Sequence, residues 1–158
     1  MSSGQILTIL HLLAAFWYVM GLTAVQVSLV RGWRSQELSV RADSLAEASH
    51  YQGVLLVPGA IAGLATGLFL WADLGYNLLT TGWLVVLEVL YLVTLLVCLP
   101  VVGVGLRRMR VAALKARRMG RVTPDQEEAM SDAAPLVLSG IATGLVPAMT
   151  FLAVARPF

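Results

Sequence analysis

Two ionisable side chains, His11 and Glu88, lie inside long apolar stretches of the chain. Each is five residues inside the nearer end of its stretch, which corresponds to about 7 to 8 Å at the rise of an α-helix. Titratable groups at membrane depth are costly and rare, so each of the two is a candidate for function. These two residues are therefore the leading candidates for a chemical function.

Three kinds of chemistry fit a histidine and a carboxylate at one depth. A buried polar contact between them would fix the register of two helices. Alternatively, His11 is an axial haem ligand, with Glu88 orienting its ring or bonding a propionate and Met149 as a second ligand at similar depth. The pair also suits one step of a proton or ion path. Met149 fits a simpler role as a gap-filling side chain, and these alternatives stay open at this point.

The sequence carries little other chemistry. It contains no phosphate-binding glycine loop, no nucleophile with a neighbouring base, no HExxH pair and no dinucleotide fingerprint. Its single cysteine, Cys98, lies within an apolar stretch, so there is no disulfide framework and no Cys/His metal spacing. We predict no catalytic residues and no metal site, and an enzyme is less favoured than a non-catalytic protein.

The elements that must hold these residues are transmembrane helices. Hydrophobic residues make up 58% of the 158 residues and charged residues 13%, which is outside the range of soluble domains. The apolar residues form continuous runs of about 20, long enough to span a bilayer as helices, and they do not alternate as transmembrane strands would. We predict an all-α four-transmembrane-helix bundle, a single integral membrane domain over residues 1–158, with spans at about 6–30, 54–72, 83–106 and 135–155.

The basic residues indicate how this bundle is oriented. Ten of the eleven lie in two segments between spans, residues 31–53 and 107–134. The positive-inside rule assigns both segments to the cytoplasm and both termini to the outside. The net charge of +2 thus reflects topology, and we expect no nucleic-acid partner.

Both cytoplasmic segments show signs of helix. In residues 107–134 acidic residues follow the basic ones, which predicts a solvated helical hairpin with internal ion pairs; contact with anionic lipid heads or a partner is the alternative. Ser44 and Thr123 have the sequence context of helix N-caps. Each is expected to start a helix that continues into the next span.

An eleven-residue stretch that begins at Pro58 recurs 77 positions later at Pro135, and the same offset relates His11 to Glu88. Because proline, threonine and two glycines match, we predict a parallel internal repeat of two tandem helical hairpins, related by an axis along the membrane normal. His11 and Glu88 would then lie at one depth on opposite sides of that axis.

Small residues spaced by four line the second and fourth spans. Helices in lipid associate by close approach over such residues, so these two spans are predicted to meet near the bundle centre. The two threonines of the repeat would lie beside this seam, either bonding a carbonyl of their own helix or facing a cofactor. The predicted packing residues are Gly59, Gly63, Gly67, Gly140, Gly144, Thr66 and Thr143.

The chain resembles the DUF2269 family of predicted integral membrane proteins in residues 11–17, in Gly21-Leu22, in residues 65–68, in residues 82–84 and in the basic run after the third span. More distantly, His11 followed by a tryptophan and Gly-Leu is similar to the four-helix cores of HemJ-type protoporphyrinogen oxidases and CopD copper-resistance proteins. The HemJ type also uses an intramembrane lysine in its third span, where this chain has Glu88, and Lys115 lies in a loop. This departure from the HemJ pattern argues against the oxidase activity and leaves haem binding through His11 open.

These features predict a small non-catalytic integral membrane protein, an accessory or structural subunit of a larger membrane complex. The alternative is a haem- or metal-binding membrane redox protein that uses His11. We expect the lipid bilayer of a bacterial inner membrane as its surroundings, with other membrane subunits or a second copy as partners. The cofactor is unknown, and haem is the candidate.

Overall fold

The computed structural model describes residues 2–77 and 80–157, and within these ranges every regular element is a helix. The elements are α1 (Ser3–Arg34), α2 (Leu38–Tyr51), α3 (Val57–Leu74), α4 (Gly82–Val93), α5 (Leu99–Met119), α6 (Pro124–Ser131) and α7 (Ala134–Ala155). Two short π-helical segments, Gln52–Leu56 and Thr94–Cys98, join α2 to α3 and α4 to α5. The predicted all-α fold is confirmed.

Four helical stretches of the described chain are long and apolar enough to cross a membrane. They are Ser3–Arg34, Leu38–Leu74, Gly82–Met119 and Pro124–Ala155. Each contains one predicted span and extends beyond it, because the basic segments between the spans are themselves largely helical. We refer to the end of the bundle near Ser3 and Asp73 as the terminal end, and to the end that holds the arginines of residues 31–53 and 107–134 as the basic end.

Each π-helical segment lies just before a proline. The first ends at Leu56, before Pro58, and the second ends at Cys98, before Pro100. Proline has no N–H group to donate to the preceding turn, and a local change to π geometry lets neighbouring groups satisfy the freed carbonyls. The helices therefore continue through both prolines instead of ending there.

The two predicted N-caps have different outcomes. Thr123 is the N-cap of α6, and its hydroxyl accepts a hydrogen bond from the Gln126 amide, as predicted. The helix stops at Ser131, however, so it does not run on into α7. The cap predicted at Ser44 is wrong, because α2 begins earlier, after Glu37, and Ser44 is buried within it. The helix does continue into the second span as predicted, through the first π-helical segment.

Helix α1 is the centre of the bundle. It packs against α3, α2, the first π-helical segment and α7. Glycines allow close crossings within each half of the chain: a Cβ on Gly21 would lie 2.6 Å from the Cα of Leu56, and a Cβ on Gly105 would lie 2.0 Å from the Cγ of Pro135. Helices α3 and α7 share at most marginal contact among the described residues. The predicted seam between the second and fourth spans is therefore wrong.

The glycine stripe of α3 packs on α1 instead. A Cβ on Gly59 would lie 2.7 Å from the backbone nitrogen of Tyr18, which leaves no room for any side chain at this crossing. Among the described residues, a Cβ on Gly140 of α7 would approach only the side chain of Gln26, at 3.9 Å, and a Cβ on Gly144 would have no atom within 4 Å. A stripe of small residues shows that a close approach is allowed, but it does not specify the neighbouring helix. The internal repeat itself stays a prediction.

The basic end contains the helical hairpin expected from the charge pattern. Helices α5 and α6 are joined by ion pairs of 2.5 Å between Arg108 and Glu128 and between Lys115 and Asp125. A third pair of the same length links Arg117 to Asp43 on α2. All these side chains are substantially exposed, so each pair contributes little to stability and serves mainly to orient the helices.

Candidate functional site: a polar seam between α1, α3 and α4

His11 lies half-buried on α1 and contacts α3. Its Nδ1 is 3.0 Å from the Oγ1 of Thr66. The same threonine hydroxyl lies 2.7 Å from the carbonyl oxygen of Ala62, one turn earlier in its own helix. The bond of Thr66 to its own helix was predicted, and the bond to His11 adds a link between two helices at membrane depth.

These partners favour one tautomer of His11. A hydroxyl has one hydrogen, and the Ala62 carbonyl can only accept, so the 2.7 Å contact favours a Thr66 hydrogen directed into its own helix. With the hydrogen there, the contact between His11 and Thr66 is made by an Nδ1–H that donates to Oγ1. In the neutral ring this leaves Nε2 with a free lone pair, the form in which imidazole binds metals and haem iron.

The glycines of α3 make room for this seam. A Cβ on Gly67 would lie 3.2 Å from the Cε1 of His11, and a Cβ on Gly63 would lie 3.0 Å from the hydroxyl of Tyr91. The glycine stripe therefore admits an imidazole and a phenol hydroxyl in addition to the backbone of α1. Its role in packing and its role in forming the site coincide.

Tyr91 joins α4 to this seam. Its hydroxyl donates to the carbonyl oxygen of Ala60 at 2.5 Å. Its ring lies 6.1 Å from the ring of Tyr18, centroid to centroid. The Tyr18 hydroxyl is buried and has no hydrogen-bond partner among residues 2–77 and 80–157. Both tyrosines therefore belong to the candidate site.

This tyrosine pair was not singled out from the sequence, because tyrosines in membrane proteins are commonly found at the interfaces. A signal was present, since Tyr18 is in the middle of its predicted span and not near an end. A phenol hydroxyl at that depth costs free energy unless it has a hydrogen-bond partner, and the same holds for the imidazole of a histidine.

Glu88 and Met149 are half-buried, on α4 and α7. Within the described part of the chain, no hydrogen bond or ion pair joins Glu88 to His11, whose bonded partner is Thr66. The rings of Tyr18 and Tyr91, which are in contact, are 73 residues apart in the chain and not 77. If α1 and α4 keep that register, Glu88 lies about one helical turn deeper than His11 and not at the same depth.

Other polar contacts join the helix ends at the terminal end of the bundle, beyond His11. The Ser3 hydroxyl donates to the Oδ1 of Asp73 at 3.0 Å, which joins the start of α1 to the end of α3. The Arg156 guanidinium lies 5.5 Å from the ring of Trp83 and donates to the Tyr76 hydroxyl at 2.8 Å. Aromatic rings with a cation at a helix end are typical of a membrane interface.

The fourth span has its own polar contacts near the basic end. Ser139 on α7 donates to the side-chain oxygen of Gln26 on α1. Thr143 donates to the carbonyl oxygen of Ser139 at 2.9 Å, the bond within its own helix that was expected. Thr143 is therefore not part of the seam around His11.

No group of three or more histidine, cysteine, aspartate or glutamate side chains able to hold a metal ion occurs in the described ranges. Cys98 is buried and has a free thiol. His11 does not line the surface groove beside Leu114 and Met119 on α5, nor the one beside Met20 and Val27 on α1.

Four apolar helices of spanning length, with aromatic and basic residues at their ends, define an integral membrane protein. Residues 5–157 match the family described as "predicted integral membrane protein (DUF2269)", and the chain belongs to this family. No curated protein and no solved structure matches the chain.

Proposed function

We propose that this DUF2269 protein is a non-catalytic accessory or structural subunit of a larger membrane complex and that α7 is its contact with a partner helix. The observation that carries the proposal is the contrast between the two glycine stripes. The stripe of α3 is occupied by α1 and α4, whereas a Cβ on Gly144 of α7 would meet no atom within 4 Å. Small residues support close helix packing in lipid, so an open stripe fits a helix from outside the bundle.

The low burial of the fourth span also supports α7 as the contact with a partner helix. Only 11% of its apolar window is buried, compared with 22% for the first and third spans. Large apolar side chains on α7 are widely exposed, including Phe151 at 62% and Val154 at 79%. A helix with so little contact inside its own chain has most of its surface available to a partner or to lipid.

The setting that we propose is a bacterial inner membrane, with the basic end in the cytoplasm. Ten of eleven basic residues lie at that end, and a cytoplasmic location of basic loops is the usual arrangement in such membranes. The single-domain organisation over residues 1–158 is part of this proposal.

The proposal is tested with Gly144→Leu and with Gly53→Leu as its matched control. Both glycines are helical, and among the described residues a Cβ at either would meet no atom within 4 Å, so both positions have space for the start of a side chain. Circular dichroism of each variant checks that the fold is kept. After purification from native membranes in a mild detergent, the wild type should bring down a stoichiometric partner subunit. Gly144→Leu should lose this partner, while Gly53→Leu should keep it.

Recovery of the wild type only as a lone chain would contradict the subunit role. A partner that is retained equally by both variants would exclude α7 as the contact. Recovery of a homo-oligomer that dissociates in Gly144→Leu would show that the face serves self-association instead.

A second candidate function is haem binding at His11, and the observation that favours it is the free lone pair on Nε2 that follows from the bond to Thr66. In this proposal His11 holds the iron, with Glu88 and Met149 as the other candidate groups. When bound, haem would supply electron transfer. Purified protein from haem-replete cells should then show a Soret band that disappears in His11→Ala and persists in His50→Ala. A colourless wild type would contradict haem binding.

A further inference from the structure

A groove of about 550 Å³ lies on the outside of α1, beside α2, and it is lined by residues of these two helices. Its wall is apolar toward the middle of the bundle, with Met20, Ala24 and Val27 on α1. Toward the basic end its lining changes to Ser28, Arg31 and Glu47. The groove therefore has an apolar part and a charged end.

The length of the groove matches one leaflet of a bilayer. Met20 and Arg31 are eleven residues apart on one helix, which is about 16 Å along its axis. Half of the hydrocarbon core of a typical bilayer is about 15 Å thick. When Arg31 is at the level of the lipid headgroups, Met20 is near the midplane, so the apolar wall lies at the depth of an acyl chain.

The charged end holds two opposite charges that are not paired with each other. Arg31 and Glu47 both line the groove, and neither side chain has a hydrogen bond or an ion pair with another residue in the described ranges. Asp43, one turn before Glu47 on α2, is by contrast bound to Arg117 at 2.5 Å. The basic end of the groove thus presents a cation and an anion, neither of which is paired within the described ranges.

Ser28 adds a polar group between the charges and the apolar wall. It is only 6% exposed, and among the described residues its hydroxyl has no hydrogen-bond partner, although Thr23, also on α1, bonds to its own helix. A serine in the groove lining at this position can donate to the phosphate or ester oxygens of a lipid.

We propose that this groove binds one phospholipid with an ethanolamine headgroup, the phosphate on Arg31 and the primary ammonium on Glu47. The apolar wall then covers one acyl chain. A zwitterionic ethanolamine headgroup fits both charges, whereas a glycerol headgroup would give Arg31 the same phosphate and offer Glu47 only neutral hydroxyls. A choline headgroup has no N–H to donate to a carboxylate, so its contact with Glu47 is weaker. The proposal does not depend on the subunit role of α7, which lies on another face.

The proposal is tested on the full-length protein in a neutral detergent, stripped of endogenous lipid. Native mass spectrometry would count the bound lipid during titration with dioleoyl phosphatidylethanolamine, phosphatidylcholine or phosphatidylglycerol. One molecule of the ethanolamine lipid should bind about fivefold more tightly than either of the others, since only it completes both charge-assisted contacts. Size exclusion and circular dichroism would confirm that each variant is folded.

The variants separate the two contacts. Glu47→Gln should lower the affinity for the ethanolamine lipid to that for the choline lipid and leave the choline lipid unchanged. Arg31→Gln should weaken the binding of all three lipids, because all three contain a phosphate. Ala24→Trp should also weaken the binding of all three, because the indole would occupy the apolar part of the groove. Arg34→Gln and Glu127→Gln, exposed charges that do not line the groove, should have no effect.

Three outcomes would overturn the proposal. They are an ethanolamine preference that survives Glu47→Gln, a preference for phosphatidylglycerol in the wild type, and equal losses in Arg31→Gln and Arg34→Gln. The last would show only a general attraction of lipid to the basic end.

Discussion

The Nδ1 of His11 and the Oγ1 of Thr66 are 3.0 Å apart, and this contact joins the first and second spans at membrane depth. It uses the ring nitrogen that a histidine ligand commonly gives to its orienting partner. Thr66 therefore holds the imidazole in one tautomer and one orientation, whether the ring serves only the packing of α1 on α3 or also a cofactor.

Thr66→Val removes this acceptor while keeping the shape of the side chain. We expect the free energy of unfolding to fall by about 0.5 to 1.5 kcal/mol, the range of hydrogen bonds between transmembrane helices, because the bond between Nδ1 and the Thr66 hydroxyl is lost. The measurement is SDS-induced unfolding in mixed micelles. Thr150→Val is the control, since Thr150 is exposed and bonds only to Val146 of its own helix. Equal losses in the two variants would show that the bond to His11 contributes nothing.

The two glycine stripes should respond to alanine in opposite ways. Gly59→Ala places a methyl group 2.7 Å from a backbone nitrogen that cannot move away cheaply. The expected destabilisation is about 1 to 3 kcal/mol, as for other overpacked sites. Gly144→Ala meets open space and should be neutral or slightly stabilising, because alanine is the better helix former. Similar effects of the two changes on SDS unfolding would contradict the packing described for α3 and α7.

How much of this could be predicted varies from feature to feature. The four spans follow from apolar runs of membrane length, and the Thr123 cap follows from a local pattern of threonine, proline and glutamine, so both could be predicted from the sequence. The helix that packs on the glycine stripe of α3 could not be predicted, because Gly59 permits a close approach equally to any helix. The start of α2 was missed because Ser44 has a cap-like context but is buried on a helix that has already begun.

The site was predicted only in part. His11 was found because an imidazole in an apolar run is unusual, and Thr66 was placed beside a seam, but their contact depends on how α1 and α3 rotate toward each other. The depth of Glu88 relative to His11 was derived from a sequence offset of 77. Depth in a bundle is set by how helices slide and tilt, and the ring contact of Tyr18 with Tyr91 joins residues 73 apart, which differs from that offset. The equal depth of His11 and Glu88 stays a prediction.

The two tyrosines of the seam should respond differently to loss of their hydroxyls. Tyr91→Phe removes the 2.5 Å bond to Ala60 and should lower the free energy of unfolding by about 0.5 to 1.5 kcal/mol. Tyr18→Phe removes a buried hydroxyl that has no partner in the described part of the chain, so it should be neutral or stabilising. SDS unfolding of the two variants gives the comparison directly. A larger loss for Tyr18→Phe than for Tyr91→Phe would show that Tyr18 has a partner, such as a bound water or ligand.

The orientation of the bundle can be tested by cysteine labelling. Cys98 is buried, so it should give little background, and single cysteines are introduced by Asn77→Cys at the terminal end and Arg118→Cys at the basic end. Arg118 is exposed and takes no part in the ion pairs with Glu128, Asp125 or Asp43. Because basic loops are retained in the cytoplasm, an impermeant maleimide should label Asn77→Cys in intact cells and Arg118→Cys only after permeabilisation. Labelling of Arg118→Cys in intact cells would show that the bundle has the opposite orientation. The phospholipid groove at Arg31 would then lie in the outer leaflet.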